Sequence, residues 1–388
     1  MIRRDITESL KRAAEGFPVI TITGPRQSGK TTLCRGLFEN HAFVSLEAPD
    51  HRAFALEDPR GFLAQFPNGA IIGEVQRVPD LHSYLQGIVD DNRNPGRWIL
   101  TGSQNFLMLS SISQSLAGRT AIFNLLPLTW PEVTSFSQHP QSLEEALFTG
   151  SYPRIFDAGL NPVKWLRAYV SSYVDRDVRM ITNVGNLTTF QRFIQLCAGR
   201  TAQLLNLSSL AGDCGISQPT AKAWISVLEA SFIAFRLQNF SGNLRKRLVR
   251  MPKLHFYDSG LVCWLLGIRT PEQLRTHPLR GQIFESWVVS EFVKRQTNLG
   301  ETTRSLSFYR DHNGAEIDLI VQTPSHVQLI EAKSITTASS SLLTGIRRVR
   351  RHFQGSNFEC SAMAVYGGDQ SQSRGDAEIV PWRELHTK

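Results

Sequence analysis

Val19-Ile20-Thr21-Ile22-Thr23 runs directly into Gly24-Pro25-Arg26-Gln27-Ser28-Gly29-Lys30-Thr31-Thr32-Leu33. The first five residues are all β-branched, a composition that suits a strand. Gly24–Thr31 spells G-x-x-x-x-G-K-T, a phosphate-binding loop in its strand–loop–helix context. The glycines let consecutive backbone N–H groups turn inward, the helix beginning near Lys30 points its positive end at the phosphates, and Lys30 reaches the β/γ oxygens. Gly24, Pro25, Arg26, Gln27, Ser28, Gly29, Lys30, Thr31 and Thr32 are therefore the expected ATP-binding residues, with Thr31 offering its hydroxyl to Mg2+. The competing reading is a chance glycine-rich turn.

Nucleotide hydrolysis needs a second strand that ends in carboxylates, one for the metal and one to orient water. Gly69-Ala70-Ile71-Ile72-Gly73-Glu74-Val75-Gln76-Arg77 is the best candidate. Glu74 stands where the water-orienting carboxylate belongs, but the preceding position carries no carboxylate because it is Gly73. Metal binding then rests on Thr31, phosphates and water, or turnover is slow. A third strand, Arg97-Trp98-Ile99-Leu100-Thr101, runs into the small polar residues Gly102-Ser103-Gln104-Asn105.

The whole chain has 388 residues, with 42 Lys+Arg against 34 Asp+Glu, and 41% of it is hydrophobic. That length suits two or three domains, and the composition excludes collagen-like and disordered classes. No run of 18 apolar residues is present, and Met1–Glu8 lacks the pattern of a secretion signal. A cytoplasmic protein with no membrane partner is expected. Cys34, Cys197, Cys214, Cys263 and Cys360 are widely spaced, which fits reduced, mostly buried thiols rather than a disulfide framework or a zinc site. Residues 161–270 hold 14 Lys/Arg against 5 Asp/Glu, so the net positive charge is concentrated in the middle of the chain. Such a field suits a polyanion, although it also suits a solvated face.

Within that basic region, Leu204 to Asp258 reads as short helices and a hairpin. Leu207–Cys214 forms a helix capped by Ser208, Gly215-Ile216-Ser217 a turn, and Gln218–Leu228 a second helix with Pro219 near its start. Ala221, Trp224, Ile225 and Leu228 recur at helical spacing as a buried stripe, which leaves Gln218, Thr220 and Lys222 at the exposed end. This is the outline of a helix-turn-helix whose second helix can enter a major groove. Strand-like runs Phe232–Leu237 and Lys253–Tyr257 then flank a tip bearing Arg245, Lys246, Arg247 and Arg250. A tip so charged suits phosphate contacts, so these residues, with Gln218, Thr220 and Lys222, are the expected DNA contacts. Winged helices also serve as protein-contact modules, and that alternative stays open.

Gly281–Val293 reads as an amphipathic helix carrying Glu285, followed by alternating runs Gly314–Val321 and Val327–Lys333 joined by Thr323-Pro324-Ser325. Alternation puts Glu331 and Lys333 on one strand face, and hairpin pairing brings Asp318 beside them. A helix Glu, then Asp, then Glu-x-Lys resembles the PD-(D/E)xK phosphodiesterase superfamily. The resemblance implies Asp318 and Glu331 as Mg2+ ligands, Lys333 orienting water or stabilising the phosphorane, and Glu285 completing the surroundings. A binding module that does not cut is the alternative. Arg347, Arg348, Arg350 and Arg351 add a second basic cluster on an expected helix.

Gly24–Thr31, Glu74-Val75-Gln76-Arg77-Val78-Pro79-Asp80-Leu81, Leu100-Thr101-Gly102-Ser103, Leu116-Ala117-Gly118-Arg119 and Leu125-Leu126-Pro127-Leu128 together resemble a widespread prokaryotic AAA+ family. Its members join an AAA+ ATPase to a C-terminal domain of unknown function. The resemblance implies Ser103 or Asn105 as the γ-phosphate sensor, Glu74 and Lys30 as the hydrolytic pair, and Arg119 as a finger for a neighbouring subunit or, equally, a surface salt-bridge partner. Gly73 departs from the family's usual Asp-Glu pair. The expected class is α/β, with an AAA+ P-loop domain over 1–150, a helical connection and winged helix over 151–265, and a restriction-endonuclease-like α/β domain over 266–388. The expected function is a DNA-stimulated, homo-oligomeric, ring-forming ATPase, a hexamer being one size, that remodels branched DNA in repair or recombination. Two alternatives are a nucleotide-gated protein-binding switch and an ATP-regulated, metal-dependent nuclease.

Overall fold

Every residue of the strand Val19–Thr23 (β1) is buried, as a strand covered on both faces requires. Around it, β2 (Ala42–Ser45), β3 (Ala70–Gly73), β4 (Trp98–Thr101) and β5 (Thr120–Asn124) form a five-stranded, all-parallel sheet in the order β2-β3-β4-β1-β5. The computed structural model describes residues 2–103, 115–173, 187–240, 251–353, 358–375 and 377–386. It divides into two compact units, the first comprising Met1–Leu128, Ala230–Phe232 and Lys294–Glu301.

In the first unit, successive residues of each strand serve opposite cores. Val19, Ile72 and Leu100 join Phe62 and Leu85 on one side, while Ile20, Ile22, Ile71 and Ile99 join Leu10 and Leu33 on the other. Parallel pairing points the C-terminal ends of β1, β3 and β4 to the same edge of the sheet. Because β4 lies between β1 and β3, the residues after β4 stand between the loop after β1 and the residue after β3. That crevice is where ligands bind in open parallel sheets.

The second unit holds Thr129–Glu229, Ile233–Val293 and Thr302–Lys388, and so contains both segments expected as separate domains over 151–265 and 266–388. The division between the two units falls at Leu128 for a packing reason. Trp130 sits 4.7 Å from the Trp382 ring and 6.3 Å from Trp287, which commits the segment after Leu128 to the core of the second unit.

Helices Leu187–Ala198, Leu207–Cys214 and Gln218–Ala230 accompany a small antiparallel sheet, β6 (Gln203–Leu204), β7 (Ala234–Leu237) and β8 (Lys253–Phe256), in the order β6-β8-β7. Ala221, Trp224, Ile225 and Leu228 are buried, with Trp224 edge-on to Phe190 and Phe193. The first of the paired helices is capped by Asn206, whose side chain accepts from the Ser209 amide, and not by Ser208. Asn206 holds the extended backbone that a cap needs, whereas Ser208 is already inside the helix. Arg245, Lys246, Arg247 and Arg250 lie outside the described residues.

The remaining sheet has six strands, β9 (Leu306–Arg310), β10 (Glu316–Gln322), β11 (His326–Lys333), β12 (Glu359–Tyr366), β13 (Gln372–Arg374) and β14 (Ala377–Pro381). Their order is β13-β14-β12-β11-β10-β9. β9, β10 and β11 run antiparallel, and the helix Thr344–Arg350 lies in the connection that returns the chain to β12, parallel to β11. Residues beyond β7 extend this sheet, because Phe308 donates its amide to the Gln238 carbonyl and Phe240 donates to that of Phe308. Among the described residues no helix is long and apolar enough to cross a membrane. None of the five cysteines, all among the described residues, is in a disulfide, and four of them are buried.

Candidate functional site

The loop after β1 rests on backbone conformations that only its glycines adopt without strain. Gly24 has φ +146°, and a Cβ there would lie 2.2 Å from the Leu125 carbonyl oxygen. Gly29, with φ +92°, turns the chain into the helix Lys30–Leu37. Lys30 is buried, and its Nζ donates to the carbonyls of Gly24 (2.9 Å) and Pro25 (2.7 Å), so the ammonium lies inside its own loop. The Ser28 hydroxyl is buried with no hydrogen-bond partner among the described residues. Thr31 and Thr32 are exposed in the first helical turn, and Arg26 is half-buried.

Arg4, which no motif marks, braces this loop. Its guanidinium donates to the Ser28 carbonyl at 2.8 Å and to the Leu126 carbonyl at 2.9 Å, tying the loop to the segment after β5. A planar fork can satisfy two carbonyls at once.

Glu74 directly follows β3 and has φ +54°, a left-handed conformation uncommon outside glycine, Asn and Asp. Its carboxylate accepts from Gln76 Nε2 at 2.7 Å and from Ser103 Oγ at 3.1 Å. The structure therefore brings together Glu74 and Ser103 and adds Gln76, whose sequence position gave no functional signal. Gly73 has room for a Cβ, which would meet the Phe43 ring at 3.5 Å. Asn105 lies outside the described residues. Arg119 makes a two-pronged pair with Asp90 at 2.7 and 2.9 Å on an exposed face, and this pair holds the Asp90 carboxyl below its ordinary value.

An ATP phosphate fits this loop. The Ser28 hydroxyl and the Lys30 ammonium are the loop's side-chain donors that would hold the phosphate, and Thr31, exposed in the first helical turn, would be the hydroxyl for Mg2+. Position 73 contributes no side-chain oxygen, so the metal's remaining ligands would be phosphate oxygens and water.

A second cluster lies within the other unit. The register that pairs Leu319 with Ile330 sets Asp318 against Glu331 on one face, with Glu316 and Lys333 at alternate positions on the same two strands. Asp318 Oδ2 accepts from the Ala332 amide at 2.9 Å, and Lys333 Nζ meets Glu331 Oε1 at 2.6 Å. Glu331 Oε2 is buried and has no hydrogen-bond partner among the described residues. Glu285, Asp318, Glu331 and Lys333 thus share one neighbourhood.

Lys253, at the start of β8, enters the same cluster. Its Nζ lies 2.7 Å from Glu285, 2.6 Å from Glu316 and 3.7 Å from Asp318, with only 2% of the residue exposed. Burial alone would drive the proton off this lysine, but Glu285, Asp318 and Glu316 outweigh it and hold the ammonium charged. Burial and the Asp318 charge push Glu331 up to about 8, against the pull of Lys333, and do the same to Glu285 against the pull of Lys253. Among the described residues no three His, Cys, Asp or Glu side chains converge to hold a metal ion. The donors around Asp318 do not fit a divalent ion in this arrangement, because a lysine ammonium already stands among them.

Of the expected DNA contacts, Gln218 and Lys222 are exposed at the start of their helix and Thr220 is half-buried, its hydroxyl 2.7 Å from that of Ser217. Arg348 donates to the Asn313 carbonyl and Arg350 to that of Cys360, so two members of the second basic cluster are used within the fold, while Arg347 and Arg351 are exposed.

Residues 16–134 match the AAA domain family, residues 140–272 a domain of unknown function (DUF8612), and residues 280–385 another (DUF4143). The chain is 30% identical over 342 residues to the uncharacterized protein Mb2031c of Mycobacterium bovis and to the uncharacterized protein Rv2008c of Mycobacterium tuberculosis. Each alignment covers 87% of this chain and 75% of the relative. The chain belongs to their family. Its first unit is an AAA-type P-loop ATPase domain, and the AAA match spans the phosphate loop, Glu74 and Ser103. Among solved structures this AAA protein is similar to the Walker-type ATPase PABY2304 of Pyrococcus abyssi, at 13% identity and TM-score 0.46, covering 68% of this chain and 95% of that one. It is also similar to C. elegans PCH-2, at 14% identity and TM-score 0.25, covering 57% of this chain and 66% of that one.

Proposed function

We propose that the protein is a Mg2+-dependent, DNA-stimulated ATPase that works as a homo-oligomeric ring and remodels DNA, with branched DNA in repair or recombination as its substrate. The observation that carries the ATPase part is the Glu74 carboxylate, held by Gln76 and Ser103 beside a phosphate loop whose lysine is already turned inward. A carboxylate oriented in advance can align water without reorganising during reaction. DNA as partner is supported by the local positive charge over 161–270 and by a helix pair whose second member exposes Gln218 and Lys222 at its start. In this reading the helix positions the protein through phosphate contacts, and ATP turnover drives movement of the ring on the strand. Arg119 serves a neighbouring subunit only if assembly draws it away from Asp90.

Steady-state ATP hydrolysis with no DNA, single strand, duplex, fork and four-way junction, at one stated salt concentration, tests the proposal. Forks and junctions should stimulate most, and Lys30→Ala should abolish every rate. A protein that binds ATP but turns it over at the same near-zero rate with every DNA would instead be a nucleotide-gated switch for a protein partner. Gly73 is the observation that favours that second reading, since it removes the carboxylate expected to serve the metal.

A further inference from the structure

The cluster of Glu285, Glu316, Asp318 and Glu331 belongs to the second unit, outside the ATPase unit. Divalent ions would take carboxylates so placed at about 2.0–2.6 Å from each oxygen. Any ion bridging Glu285 and Asp318 at those distances would stand against the Lys253 ammonium, which is itself 2.7 Å from Glu285 and 3.7 Å from Asp318. Two cations cannot share that position in a buried site, where like charges are poorly screened.

We propose that the Lys253 ammonium is the resident cation of this carboxylate cluster, so that the C-terminal sheet carries a metal-free, non-cutting site. Four features agree with that assignment. Lys253 is held from three sides by Glu285, Glu316 and Asp318, and its ammonium also lies 5.5 Å from the centre of the Phe308 ring. The Asp318 oxygen turned from Lys253 is spent on the Ala332 amide. Lys333 satisfies one oxygen of Glu331. Over the same carboxyl lies Gly345, where even a methyl group would come within 3.2–3.3 Å of both Glu331 oxygens, which leaves little space for an ion with its waters. The cluster thus takes its cationic partners from within the chain. Lys253 also begins the strand after residues 241–250, while Gln238 and Phe240 before them hydrogen-bond to Phe308.

The test is Mn2+ binding to the nucleotide-free full chain, read from the electron paramagnetic resonance of free Mn2+, together with thermal unfolding with and without Mg2+ or Mn2+. The native protein and Asp318→Asn should behave alike, with no bound ion lost on substitution and no metal-dependent rise in Tm. Lys253→Met, which keeps the side-chain volume and removes the charge, should gain one Mn2+ and a metal-dependent rise in Tm of several degrees. One Mn2+ bound by the native protein at micromolar concentration and lost in Asp318→Asn would overturn the proposal, and that comparison stands even if Lys253→Met does not fold. A folded Lys253→Met that remains indifferent to metal would equally overturn the ammonium as the occupant. Neither measurement uses nucleotide or DNA, so the result is independent of whether DNA stimulates the ATPase.

Discussion

At the scale of single residues, the ATPase unit depends on groups whose value comes from their partners. Glu74→Gln keeps an acceptor for Gln76 and Ser103 but loses the negative charge that aligns water. ATP hydrolysis should fall by about a hundredfold or more, with ATP affinity nearly unchanged, as single-turnover and binding measurements would show. Arg4→Ala should act differently. It leaves the Ser28 and Leu126 carbonyls without their charged donor, a loss of about 2–3 kcal/mol. Lower Tm together with weaker ATP binding is expected, and Arg4→Lys should recover only part of both, because an ammonium lacks the fork that spans two carbonyls. An Arg4→Ala protein with native ATP affinity would show that the brace does not shape the loop.

At the scale of elements, caps and register decide where chemistry can occur. The helix Ser259–Leu265 starts at Asp258, one of whose oxygens accepts from the Leu261 amide at 2.7 Å while the other accepts from the Ser151 amide at 2.6 Å. Asp258→Ala removes a helix cap and leaves two buried amide donors, so chemical denaturation should report a loss of about 2–3 kcal/mol with little change in ATP binding. The β10–β11 register has a comparable weight for the carboxylate cluster. A slip of one residue would send Asp318 to the opposite face of the sheet. Gly345→Ala probes the covering helix, whose added methyl would press on Glu331 and should lower Tm while leaving the ATPase unit unaltered.

For the molecule as a whole, pH and salt test two different features of the second unit, its buried carboxylates and its exposed basic residues. Glu331 has a folded value near 8 against an ordinary 4.5, so near neutral pH the folded protein holds protons that the unfolded chain has released. Glu285 is shifted the same way, and because both face Asp318 they titrate as one coupled set. Stability contributed by such raised carboxyls is present below about pH 4.5, falls as pH rises towards 8, and changes little beyond. Thermal unfolding of the native chain should therefore weaken between pH 6 and pH 8.5, and Glu331→Gln should flatten that slope; an unchanged slope would remove Glu331 as its source. Salt should act on the other proposal. If basic residues hold DNA through phosphates, log affinity will fall linearly with log salt, and Lys222→Ala should reduce the slope by about one.

Much of the nucleotide site is legible in the sequence. The phosphate loop, Glu74 and Ser103 can be found there because a strand, its turn and the next helix are local, and glycine at positions 24 and 29 answers a local backbone demand. The alternation that puts Glu331 and Lys333 on one face is likewise a property of any strand. Arg4, Gln76 and Lys253 are not legible. Arg4 reaches its loop only because the N-terminal segment folds back over β1, and Gln76 gains its role from the left-handed turn at Glu74. Lys253, in sequence, is only one more basic residue near the hairpin. The domain boundary at Leu128 is hidden for a related reason, since it is set by Trp130, Trp287 and Trp382 meeting from distant parts of the chain. Sequence by itself thus determined the phosphate loop and the α/β class of the first unit, because both rest on short-range geometry. Tertiary structure alone decided which cation stands among the carboxylates, because a buried charge is paired by whichever group the packing delivers, however far away it lies in the chain.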